Sequence, residues 1–173
     1  MSKSLWDFSV DLYARPGVAD CCLQLQDQRG ADVCLLLVAL WLERRGVAAT
    51  AERIAQLERL ATPWQAAVGT PLRQLRRAWR AAAAEDIELT ELRRQLATLE
   101  LQAERILLER LEALSSAWPA DAHSAGHWLE RLGPGRSDDN QAQHAAAHEL
   151  LRYAAGSLSP TSSEEPASGR PAR

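Results

Sequence analysis

Ten consecutive apolar residues, Val33 to Leu42, form the longest such run in the chain, with Asp32 before them and Glu43-Arg44-Arg45 after. A helix needs about 20 apolar residues to cross a bilayer, so this run is half the required length. A helix that is apolar on every side is one enclosed by other helices. Asp32 at its start and Arg44 and Arg45 at its end match the helix dipole, and Gly46 suits the terminating position. A buried strand is the rival reading of a short apolar run, but the leucines and the end charges favour helix. The pattern therefore predicts a central core helix over 33–42.

Shorter amphipathic patterns flank it. Ser4 is placed to cap a first helix, with Asp7 three residues on; Leu5, Phe8 and Leu12 share one face, flanked by Trp6 and Tyr13, before Pro16-Gly17 ends it. A second helix is expected over Val18 to Gln28, ending at Gly30. Thr50 caps a third segment striped by Ile54, Leu57 and Leu60, which "ATPW" interrupts. A break is expected at "GTP", with Thr70 as the next cap and Pro71 at the first helical position. Beyond it Leu72, Leu75 and Trp79 lie on one face, and Arg73, Arg76, Arg77 and Arg80 on another.

Residues 85–114 give the longest helix. Leu89, Leu92, Leu96, Leu99, Ala103 and Ile106 alternate by threes and fours, the spacing of a seam between packed helices, and Leu107, Leu111 and Leu114 then shift it by about one residue. A coiled coil and an antiparallel pairing within a bundle explain the spacing equally well. From Ser115 to Asp139 the chain is irregular, with a short helix around His127 to Leu132. A last helix is expected from Asn140 to Ala155. The end, "GSLSPTSSEEPASGRPAR", is rich in Ser, Pro and Gly and has the composition of a disordered tail.

Composition agrees with this all-helical reading. Ala, Leu, Arg, Glu and Gln dominate, and the residues that favour pleated strands are sparse. The net charge of −3 predicts no strong long-range attraction to nucleic acid or anionic lipid. Its distribution says more. Residues 43–80 carry eight arginines against three acids, and residues 81–114 eight acids against four arginines. Opposite signs on neighbouring helices would satisfy each other in an antiparallel hairpin. Alternatively, Arg73, Arg76, Arg77 and Arg80 form an exposed basic strip for phosphates or an acidic protein; no aromatics are interleaved on the same face for base stacking, which favours protein.

The blocks "LWDFSVDLYARPGV" and "CLQLQDQRGADVCLLLVALWL" resemble a family of small bacterial proteins catalogued as a domain of unknown function. Trp6, Tyr13, Arg15, Gly17, Gln26, Asp27, Gly30, Asp32 and Trp41 carry the likeness, which extends over about residues 4–115. The resemblance implies a helical protein of the bacterial cytoplasm and supplies no activity, cofactor or catalytic residue. Members often carry Asn where this chain has Cys34, which implies that a thiol there is not required.

Candidate chemistry is thin. The four histidines fall in two i, i+4 pairs, His123/His127 and His144/His148, a spacing that zinc sites use; no glutamate follows the first His of either pair, and surface histidines are the simpler reading. Cys21, Cys22 and Cys34 form no C-x-x-C motif and read as small buried hydrophobes, an odd number suited to a reducing cytoplasm. Asp20, Asp27 and Asp32 lack the spacing of a magnesium site, and no nucleophile elbow or phosphate-binding loop is present. No catalytic residue, metal or cofactor is expected. The sequence thus predicts one all-α, bundle-like domain of about five to seven helices over 4–156 and a disordered tail over 157–173. The leading expectation is a protein-interaction module that binds a partner, or itself, through residues 70–114, with Arg73, Arg76, Arg77 and Arg80 as the named surface. A small helical enzyme or metal-dependent protein, and nucleic-acid binding through the arginines, are the competing readings.

Overall fold

The computed structural model describes residues 3–121, 127–133 and 141–158. Among them the chain forms α1 (Leu5–Tyr13), α2 (Val18–Arg29), α3 (Val33–Arg44), α4 (Ala51–Trp64), a π-helical turn (Gln65–Gly69), α5 (Thr70–Ala78), α6 (Arg80–Ala83), α7 (Ile87–Ser115), α8 (Trp128–Leu132) and α9 (Gln141–Gly156). The one strand-like pairing among these residues is an isolated antiparallel bridge between Val47 and Ala120. The fold is all-α, with one long helix. With α4 to α6 taken as the near-continuous run they form, seven helices are described.

All ten residues of the apolar run are buried. Helices α1, α4, α7, α8 and α9 pack around α3, and α2 closes the outside against α9 and α1. The helix starts where Asp32 accepts the amides of Cys34 (2.9 Å) and Leu35 (3.4 Å), satisfying donors that a helix start leaves free. It ends at Gly46, whose φ of +65° is left-handed. Ser4 Oγ likewise accepts from Asp7 N in α1, and Thr50 Oγ1 from Arg53 N in α4.

The three charged residues after the apolar run anchor its neighbours. Glu43 accepts from Nε and Nη2 of Arg152 in α9, both at 2.9 Å, and from Leu129 N at the start of α8. Arg44 donates to the Ala155 and Leu158 carbonyls at the end of α9. Arg45 donates to the Ser115 and Ser116 carbonyls at the end of α7, with its guanidinium 4.4 Å over the Trp41 ring. These arginines thus sit at the negative ends of α9 and α7 as well as their own helix. Through Arg44 the packing continues to Leu158, which is buried; residues 159–173, most of the expected tail, lie outside the described residues.

Two expectations need correction. Pro63 lies inside α4, and the chain continues helically through Gly69 and Thr70, so "ATPW" and "GTP" are not breaks and Thr70 is not a cap. A proline within a helix loses one bond and clashes with the carbonyl four residues back. The wide turn at 65–69 rearranges the carbonyls that Pro71 would otherwise strike. Packing holds α4 past Pro63: Leu57 and Ala61 are fully buried, and Trp64 Nε1 donates to the Ala103 carbonyl in α7 at 3.1 Å.

The region after Ser115 contributes more core than its composition predicts. Trp128 is fully buried, donates to the Val47 carbonyl at 2.7 Å and stacks on Trp118 with ring centroids 6.0 Å apart. Leu129 and Leu132 are buried beside it, and α8 packs directly on α3.

Enclosure of α3 predicts a sharp contrast in stability. Leu36→Ala, at a fully buried position, should cost about 2–5 kcal/mol. Ile87→Ala, at a site 88% exposed, should stay within about 0.5 kcal/mol. Urea denaturation of the two variants measures both.

Candidate functional site

The arm formed by α4 to α7 folds back as an antiparallel hairpin, and its inner face carries a network of acids and arginines. Arg73 donates to Glu100 (3.1 Å) and Glu104 (3.5 Å), and Arg76 donates to Glu100 through Nε. Arg93 on α7 returns a bond to the Arg76 carbonyl at 3.0 Å. Glu100 is 7% exposed, and Arg76 and Arg73 hold its carboxyl below the usual glutamate range against the opposing effect of burial.

The same network ties the arm to the body. With its amide oriented to accept, Gln26 on α2 takes a bond from Arg73 Nη1 at 3.0 Å. Asp27 pairs with Arg77. Gln65, on the π turn, donates to Asp32 Oδ1 at 2.9 Å, the oxygen that caps α3. Gly69 makes room for that contact, since a Cβ there would collide with the Gln65 carboxamide. Gln26, Asp27 and Asp32, distant from the arm in sequence, therefore meet Gln65, Arg73 and Arg77 in one place.

Of the four arginines singled out above, Arg73 and Arg76 are turned inward onto glutamates, Arg77 is half-exposed on Asp27, and Arg80 is exposed. The exposed feature on this arm is apolar. Along α7, Leu96 and Ala103 are buried, while Leu92, Leu99 and Ile106, seven residues apart, are 50%, 51% and 40% exposed. Leu75 on α5 is 42% exposed. The leucine seam is thus split lengthwise, one half used inside the chain and the other left on the surface.

Beside the network, α1, α3 and α7 leave a groove of about 260 Å³ whose walls include Trp6, Val10, Tyr13, Leu37, Leu101 and Leu108. Glu104 and Cys34 also reach it. Burial raises the Glu104 carboxyl above the ordinary glutamate range, with Glu100 and Asp32 adding to the rise and Arg73 opposing it. Burial also raises Asp32, against the hydrogen bonds that cap α3, and raises the Tyr13 hydroxyl beside Cys22.

Among the described residues the other candidates do not gather into a centre. All three thiols are buried and free, and burial pushes them up, Cys22 to about 11, so they stay protonated at neutral pH. Of the two histidine pairs, His123 and the His144 side chain lie outside the described residues. His127 and His148 each come within 3.9 Å of Glu130. Among the described residues no three His, Cys, Asp or Glu side chains are arranged to hold a metal ion, and no helix is long and apolar enough to cross a membrane.

Two outcomes follow from the network. Glu100→Ala leaves Arg76 without its carboxylate, while Arg73 keeps Glu104 and Gln26, and should cost about 2–4 kcal/mol, whereas Arg94→Ala, on an exposed pair, should leave the urea midpoint unchanged. For Glu104 the folded protein holds its proton more tightly than the unfolded chain, so this group lowers stability as pH rises past the ordinary glutamate range. Glu104→Gln should therefore gain stability relative to the parent chain as pH rises, and urea midpoints from pH 4 to 8 will show it.

The comparisons with known proteins agree with the part of the chain that builds this core. A family model described as a protein of unknown function (DUF2390) matches residues 4–111, which span α1 through most of α7. No curated protein and no solved structure matches the chain. With more than half of its residues covered by that model, the chain belongs to the DUF2390 family.

Proposed function

We propose that this chain is a protein-interaction module that docks an amphipathic helix of a partner along the exposed ridge of α7. The observation that carries this reading is the half-used seam. Leu92, Leu99 and Ile106 repeat every seven residues on the surface of a 29-residue helix, and their alternates, Leu96 and Ala103, are already packed. That spacing suits side chains that interlock with a second helix. Isolated exposed leucines are ordinary on protein surfaces; an aligned series is the kind of feature that marks an interaction site.

The arm is also built to present that ridge. Its inner face is fixed by buried charge pairs, so little reordering is needed on binding, which lowers the cost of association. Arg77 in α5 and Arg80 in α6 are exposed, suited to acidic side chains on the rim of such a contact. A second copy of the chain is the alternative occupant.

Substituting Leu92 and Leu99 by glutamate tests the reading. Both sites are half-exposed, so the fold should survive, as far-ultraviolet circular dichroism will report. The partner, purified from the source cell after nuclease treatment, should bind the variant at least tenfold more weakly. For a second copy, sedimentation equilibrium should show a dimer that the two substitutions split. Unchanged partner affinity and unchanged oligomeric state together would remove the ridge as the docking surface.

A further inference from the structure

The ridge of α7 has a symmetry that narrows what can lie on it. Its apolar members, Leu92, Leu99 and Ile106, follow one another at intervals of seven. Four residues before Leu92 stands Glu88, and four residues after Ile106 stands Arg110, both exposed. Residues four apart are neighbours on one face of a helix. The face therefore reads acid, apolar, apolar, apolar, base, at intervals of four, seven, seven and four, with Leu99 at its midpoint.

The other charges near this face are matched within the chain. Glu91 pairs with Arg94 at 2.7 Å and Arg105 with Glu109 at 2.8 Å, each inside α7. Gln95 and Gln102, three residues after Leu92 and Leu99, add no charge. Among the described residues neither Glu88 nor Arg110 belongs to an ion pair; Arg110 instead lies 4.2 Å over the Trp64 ring. The two cannot reach each other, because the helix between them is about 33 Å long. Their partners must come from another molecule.

We propose that the occupant of the ridge is α7 of a second copy, lying antiparallel across a two-fold axis at Leu99. The proposal rests on the ridge being the docking surface and names the helix that lies on it. In this register Leu99 meets its own counterpart, Leu92 meets Ile106 of the second copy, and Glu88 meets Arg110 of the second copy. Each unequal contact is made twice, as a two-fold interface requires. A parallel pairing would set Glu88 on Glu88 and Arg110 on Arg110, and like charges brought together act against a wrong arrangement. A helix of another protein would need a base and an acid at this same separation, whereas the chain supplies both itself. Trp64, partly exposed beneath Arg110, adds apolar surface at each end. About 33 Å of helix roughly 10 Å wide covers less than the roughly 800 Å² per partner of a standard interface, so the dimer forms at micromolar concentrations.

The test is sedimentation equilibrium of the full chain at low salt, where exposed charges act most strongly. The parent chain should dimerise, and Glu88→Arg and Arg110→Glu should each weaken the dimer about fivefold or more, since each sets like charges together at both ends. An equal mixture of the two variants should regain the parent affinity, because each then supplies the charge the other lacks. Glu88→Arg, on an exposed site, keeps the test open if Arg110→Glu disturbs Trp64. A parent chain that stays monomeric at a few hundred micromolar would overturn the proposal and leave the docking reading to a different partner. A dimer split by glutamate at Leu92 and Leu99 but unaffected by the charge variants, or not restored on mixing, would overturn the antiparallel register alone. A dimer that the leucine substitutions leave intact would overturn both.

Discussion

The structure depends on the enclosure of α3. Ten apolar residues in succession leave a helix no face to turn toward water, so neighbours must cover it on every side. Apolar contact alone does not choose those neighbours, since burial energy has no direction. The polar residues at the two ends make the choice. At the start, Asp32 caps α3 and takes Gln65 from the π turn, which fixes where the arm leaves the body. At the other end, Glu43, Arg44 and Arg45 bond in turn to α8 and α9, to the end of α9 and to the end of α7. Each bond satisfies a helix terminus or a charge that would otherwise be stranded, so other arrangements of the same helices would leave buried polar groups unmet.

The arm follows a different rule. Helices α5 and α6 pack chiefly on α7 and the π turn, and α5 has no buried residue. What holds this segment is charge: Glu100 between Arg73 and Arg76, and Arg77 on Asp27. A buried ion pair is weak evidence for net stability but strongly resists removal of one partner, so such a network sets geometry more than it adds energy. Held in this way, α7 uses only half of its apolar seam internally. One constraint thus accounts for both the rigid inner face and the exposed outer ridge.

Much of the fold is legible in local sequence. The length of the apolar run and the charges at its ends mark α3 as core, and Ser4, Asp32 and Thr50 are caps that nearby residues suffice to identify. The opposite charge of residues 43–80 and 81–114 points to the hairpin. What is hidden depends on distant partners. Pro63 and Pro71 look like breaks because the contacts of Trp64 with α7 and the widened turn that accommodate them leave no local trace. Trp128 lies in the short helix expected within an otherwise irregular stretch, yet its place in the core is set by Val47, 81 residues away. The even leucine spacing of α7 cannot show that Leu96 faces inward and Leu99 outward. Glu104 reads as one more surface acid, and only the approach of α1 and α3 places it in a groove. Even so, Trp6, Tyr13, Gln26, Asp27 and Asp32, conspicuous in the amino-terminal pattern, converge on the groove and the network.

The account rests on α3 being the last part of the molecule to open and the arm being the first. Native-state hydrogen exchange, read by mass spectrometry on peptides from each helix, measures that order directly. The α3 amides should exchange only through global unfolding, with the same denaturant dependence as the urea transition. Those of α5, α6 and the first turns of α7 should exchange through a smaller opening at lower free energy. Exchange of α3 as early as the arm, or protection of the arm equal to that of α3, would contradict the account.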